Sequence, residues 1–202
     1  FIFVLLLGLV FGFRIAVNAG WLNETMRIVI GFIVAGLFYF VGDKQIKKNH
    51  LALGKVLFVG FISTLMVTTF AMHILYEMIS IGVAFPMNVA WIVLGLYLSR
   101  LHRSQAMGVM FAIAGYLIPF LVSGAGTSTT FIMVIGYELI YYLALLWFAV
   151  HHRYRIMYYV SMFFLHIVYL ALLFAYMQLV DSLHVLLMAV GIMVQHEAVF
   201  LT

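Results

Sequence analysis

Apolar residues run along this chain in blocks of about twenty, separated by short polar clusters. The blocks fall at 1–17, 25–42, 51–74, 83–99, 105–122, 130–150, 156–176 and 182–200. A helix needs about 20 such residues to cross roughly 30 Å of hydrocarbon. The pattern therefore predicts an all-α, polytopic transmembrane helix bundle of about eight spans, built as helical hairpins within one transmembrane domain covering 1–202.

The breaks between blocks have local causes. Asn18, Gly20 and Asn23 punctuate the first, and Asp43 to His50 reads as a charged loop. Pro86 fits the first turn of the fourth span, where its missing N–H costs nothing. Pro119 falls inside the fifth and should kink it. Ser123 to Thr129 reads as a polar link before the sixth span. The eighth is the weakest, diluted by His184, His196 and Glu197. The first block opens at Phe1 and lacks the basic start and small-residue cleavage site of a signal peptide, so it reads as a retained helix in a piece of a longer protein.

Composition agrees with the pattern. Of 202 residues 67% are hydrophobic and 8% charged, against roughly 25% charged in soluble domains. Cysteine is absent, which excludes disulfides and thiolate metal sites. The net charge of +4 would suggest nucleic acid in a soluble protein; here the basic residues sit in short loops and read as topology signals. Lys44, Lys47 and Lys48, then Arg100 and Arg103, then Arg153 and Arg155 occupy alternate loops. All three loops fall on one side, expected to be cytoplasmic, which places both ends of the chain there as well. Gly31 with Ala35, and Gly108 with Ala112, give the small-residue spacing that lets helices approach closely in lipid.

Ionisable residues inside the apolar blocks carry most of the functional information, since each costs about 2.5–3.5 kcal/mol at a helix centre. Glu138 lies mid-span, flanked by Tyr137, Tyr141 and Tyr142. His166 lies at similar depth on the next span, and the hairpin through Arg153 would let the two pair, with Tyr142 as a further partner. Glu138, His166 and Tyr142 thus form a candidate proton or cation site. The structural alternative is a neutral carboxyl held by tyrosine hydroxyls that pins two helices together.

Two further groups lie toward the opposite face. Arg14 and Arg27 sit at similar depth on the first two spans and form a candidate site for an anion or a headgroup; the alternative is snorkelling to the interface. His73 and Glu77 are spaced i, i+4, and Asp181 and His184 i, i+3, which makes a candidate outer polar cluster. Two His and two carboxylates match a zinc ligand set in type. No H-E-x-x-H motif is present and nothing in the sequence brings the two pairs together, so no metal is expected, nor any cofactor. Nucleotide-binding, P-loop and G-x-S-x-G signatures are absent as well.

Phe13-Arg14-Ile15-Ala16-Val17-Asn18-Ala19-Gly20-Trp21-Leu22, followed by Met26-Arg27-Ile28-Val29-Ile30-Gly31, resembles a bacterial family of multi-pass membrane proteins known as domain of unknown function 2339. The departure from that family's pattern is Ala19, which separates Asn18 from Gly20. Tyr116 to Ser123 is similar to the family's Gly/Pro-bearing helix end. The resemblance implies a bacterial inner-membrane location and more spans beyond this piece. It supplies no activity or catalytic residues, and transfers only Arg14, Trp21 and Arg27 as a matching motif.

Two functional classes follow. One is transport or binding of a small or amphiphilic solute, such as a lipid or envelope precursor. The other is a structural or assembly subunit of a membrane complex. An enzyme is disfavoured by the lack of long loops to host chemistry. The expected partners are membrane lipids, with a membrane-protein partner or a second copy of the chain besides, and no nucleic acid.

Overall fold

A computed structural model describes residues 23–119, 128–175, 185 and 187–194. Six α-helices follow in order: α1 (Glu24–Lys47), α2 (Leu51–Phe70), α3 (Ile81–Leu101), α4 (Gln105–Tyr116), α5 (Ser128–His151) and α6 (Arg155–Ala175). Residues 187–194 are helical too, and no strand occurs among the described residues. Five helical stretches are long and apolar enough to cross a membrane: Glu24–Lys47, Leu51–Leu75, Ile81–Leu101, Val134–His151 and Arg155–Leu172. The all-α expectation holds, and the described residues support five spans where eight were expected. The first expected span and most of the eighth lie outside the described residues. The fifth is the short helix α4.

The differences in helix length have physical reasons. Asn23 caps α1 by accepting from the Met26 N–H at 2.8 Å. At its other end α1 runs through the charged stretch expected to be loop. An i, i+4 ion pair between Asp43 and Lys47 suits a helix that has left the apolar zone. Helix α3 starts at Ile81, which puts Pro86 inside the helix rather than in its first turn. Helix α4 ends at Tyr116, where Pro119 brings no N–H for the carbonyl of Gly115.

Hairpins α1–α2, α3–α4 and α5–α6 turn through the same motif. Asn49, Arg103 and Arg153 take positive φ (65°, 46° and 56°). In each turn that residue's N–H reaches three residues back and the next N–H five back, as in Asn49 to Ile46 and His50 to Gln45 (both 2.9 Å), or Arg153 to Val150 (3.1 Å) and Tyr154 to Ala149 (2.8 Å). This is the Schellman closure of a helix end. The three turns lie together: the His102 ring stacks on Phe58 of α2 at 4.7 Å, and the Tyr154 hydroxyl donates to the Ser99 carbonyl at 3.2 Å. All three basic loops therefore share one end of the bundle.

Close helix approach rests on small residues. A Cβ on Gly54 would stand 2.9 Å from the carbonyl oxygen of Gly42 and 2.6 Å from Ile46. Gly31 lies against Thr68, and Ala35 and Ala112 are fully buried. Polar side chains inside α2, α3 and α6 bond to their own helix: Thr64, Thr68, Thr69, Asn88 and Ser161 each donate to the carbonyl four residues back. In hydrocarbon that choice leaves no donor unpaired. Two apolar cores result. Phe58, Ile62, Ile92 and Phe111 centre one across α2, α3 and α4. Tyr116, Tyr142, Leu145 and Leu165 centre the other across α4, α5 and α6.

Candidate functional site

Glu138 stands in the second core with no exposed surface. Neither carboxyl oxygen has a hydrogen-bond partner. Tyr116, Tyr137, Tyr141 and Tyr169 all lie within electrostatic range of it. Three of these hydroxyls are committed elsewhere. Tyr137 donates to the Gly115 carbonyl at 3.0 Å, Tyr116 to the Ser161 carbonyl at 3.0 Å, and Tyr141 to the carbonyls of Phe111 (3.3 Å) and Ala112 (3.1 Å). The Tyr137 bond has a cause in the chain: Gly115 is the carbonyl that Pro119 leaves without its intrahelical N–H. The Tyr169 oxygen is buried without a partner, at 2.6 Å from where a Cβ on Gly191 would stand.

The carboxyl is thus walled by tyrosines that tie α4 to α5 and α6 while leaving it unbonded. Neither carboxyl oxygen bonds to Tyr142 or His166, the two expected partners. Tyr142, one turn along α5, is fully buried beside Tyr116 and Glu138 in the same core. His166 lies part-buried on α6, but its ring Nδ1–H donates to the Met162 carbonyl at 2.8 Å. Glu138 and His166 do not bond. The i−4 carbonyl on its own helix takes the Nδ1–H that a bond to the carboxyl would have used. Tyr116, Tyr169 and Ser161 escaped the sequence reading. Tyr169 carried a signal, since it follows His166 by three residues and so shares its face.

The other expected sites are only partly assembled. Arg27 donates to the Tyr76 hydroxyl at 3.4 Å and lies 5.7 Å from that ring's centre, a cation–π contact between the ends of α1 and α2. Arg14 and Trp21 lie outside the described residues, as do Asp181 and His184. His73 and Glu77 do not share a helix face. The helix loosens into a π-turn at Ala71–Leu75 and stops, leaving Glu77 at φ 50°. His73 instead donates from Nδ1 to the Ile79 carbonyl at 2.9 Å. Both still line a small cavity of about 470 Å³ with Ser80. Among the described residues no three His, Asp or Glu side chains gather to hold a metal.

At the end with the basic turns, Arg100, Arg103, His152 and Tyr154 line a cavity of about 720 Å³. Through Tyr97 and Arg100 it meets an apolar groove of about 530 Å³ between α3 and α5.

Apolar helices of spanning length, small-residue contacts and inward-facing polar groups define a multi-pass α-helical membrane protein. A sequence model described as "Predicted membrane protein (DUF2339)" matches residues 2–202. The chain belongs to that family, in agreement with the resemblance carried by its first hairpin. No curated protein and no solved structure matches it.

Proposed function

We propose that this protein binds or transports a small or amphiphilic solute across a bacterial inner membrane, with Glu138 as the group that takes and releases a proton or small cation. One observation carries the reading: a fully buried carboxyl whose two oxygens meet no donor, although tyrosines surround it. A carboxylate without partners in such surroundings costs several kcal/mol, so it takes a proton or a cation as companion. A residue kept only to pin helices would be hydrogen-bonded across them. Here tyrosine-to-carbonyl bonds do that work and the carboxyl has no share in it.

Eight spans, with the basic turns and both ends of the chain in the cytoplasm, complete the proposed topology. The test is uptake driven by an imposed pH gradient in proteoliposomes, screened with mixtures of small and amphiphilic solutes. Glu138→Gln abolishes proton-linked uptake and leaves assembly nearly unchanged. Retained proton-linked uptake in that variant contradicts the reading.

A second reading has its own support. The hydroxyls of Tyr116, Tyr137 and Tyr141 all bond across helices to backbone carbonyls, as polar residues do when they fix packing. A structural or assembly subunit would show no uptake in wild type, and would co-purify with a membrane partner or a second copy of itself.

A further inference from the structure

The groove between α3 and α5 has a direction. On α3, Phe85, Val89, Val93 and Tyr97 recur every fourth residue and form one wall. On α5, Ile140, Ala144 and Trp147 face them. Val93, Ile140 and Trp147 are more than half exposed, so the groove opens where hydrocarbon lies. Its far end is shut by the rings of Phe85 and Tyr137, packed edge to face at 5.1 Å. Its near end runs through Tyr97 and Arg100 into the cavity that also holds Arg103 and His152.

From Phe85 to Arg100 the helix rises roughly 22 Å at about 1.5 Å per residue. That is more than half of the roughly 30 Å hydrocarbon depth, room for one extended acyl chain. No acidic side chain is among the described residues lining either cavity. Among the described residues the one ion pair is Asp43–Lys47, so Arg100 and Arg103 keep their charges for another partner.

We propose that this groove and its arginine pocket hold one anionic glycerophospholipid from the leaflet at the basic-turn end, an acyl chain between α3 and α5 and the phosphate on Arg100 and Arg103. Continuity of the two cavities suits a lipid and not a free phosphate. The charged pocket opens from a closed-ended apolar groove of acyl-chain length. The proposal stands apart from Glu138, which lines neither cavity.

The experiment is native mass spectrometry of the full chain, released from micelles with equal phosphatidylglycerol and phosphatidylcholine, with inorganic phosphate as a competing probe. Two basic contacts near a membrane surface predict a preference of about tenfold or more for phosphatidylglycerol. Arg100→Gln with Arg103→Asn brings the ratio to near one while a bound lipid remains; Asn tolerates the left-handed backbone at 103. Val93→Trp fills the groove from an exposed position and removes the retained lipid of either kind.

Equal retention of the two lipids by the wild type overturns the proposal. So does an undiminished preference in the double variant, or lipid retention unaffected by Val93→Trp. Loss of the preference on adding millimolar inorganic phosphate also overturns it, by showing a free-anion site. These variants leave Glu138 in place, so proton-linked uptake surviving or failing in them is read separately.

Discussion

Tyr141 and Glu138 lie one turn apart on α5, yet the Tyr141 hydroxyl turns from the carboxyl and donates to the Phe111 and Ala112 carbonyls of α4. The helix-to-helix tie and the ionisable group are thus separate things in the same few ångströms. The tie works whether or not the carboxyl is there.

That separation predicts the stability of substitutions at Glu138. Glu138→Leu removes no hydrogen bond and relieves an unpartnered polar group, so unfolding in detergent should stay within about 1 kcal/mol of wild type or become more costly. A carboxyl that pinned helices through hydrogen bonds would lose about 1–3 kcal/mol on the same change. Thermal unfolding followed by circular dichroism, with Glu138→Gln alongside, separates the two.

The His102 turn predicts a pH effect. Burial against Phe58 and then the charge of Lys55 hold the imidazole below its usual 6.5, with Asp43 acting in the opposite sense. The unfolded chain then binds a proton more readily than the folded one. Stability contributed here is fully present above about pH 6.5 and is lost as pH falls from there through the lower folded value. Unfolding temperatures should fall between pH 7.5 and pH 5, and His102→Gln should flatten the part of that slope owed to this residue. An unchanged slope in His102→Gln contradicts the assignment.

Gly54 predicts a packing cost. An added methyl meets the Gly42 carbonyl oxygen at 2.9 Å, which is backbone and cannot swing aside. Gly54→Ala should destabilise the α1–α2 hairpin by about 1–3 kcal/mol. Gly36→Ala is the control, because nothing lies within 4 Å of that position. Equal behaviour of the two variants would contradict the close approach.

Orientation is open to direct chemical test because the chain has no cysteine. Single cysteines at Asn49, Arg103 and Arg153 should all react with an impermeant maleimide from one face; with the proposed orientation they are protected in intact cells and react in inverted membrane vesicles. Labelling of these three positions from opposite faces would break the hairpin topology.

Helix class and hairpin order were legible because lipid imposes block length on the sequence. The basic turns were legible as loops because charge cannot stay in the apolar zone. Their common Schellman geometry was hidden, since Arg at a left-handed position leaves no glycine to mark it at 103 and 153. Charge ends a span without ending a helix, so α1 continues through Asp43–Lys47 where the sequence alone suggests a loop. At the site, spacing placed Glu138 and His166 at one depth. Rotation about the helix axis and the pull of the i−4 carbonyl decided that they would not bond. Pro119 does more than kink the chain: it brings no N–H to the Gly115 carbonyl, which accepts from the Tyr137 hydroxyl instead.

Whether Glu138 exchanges its proton or cation with the surroundings is read most directly by infrared difference spectroscopy of the protonated-carboxyl band, wild type against Glu138→Gln. The account predicts a band specific to Glu138 that changes reversibly with bulk pH or added monovalent cation. A Glu138 band unmoved by either would show a sealed packing residue and contradict the proposed role.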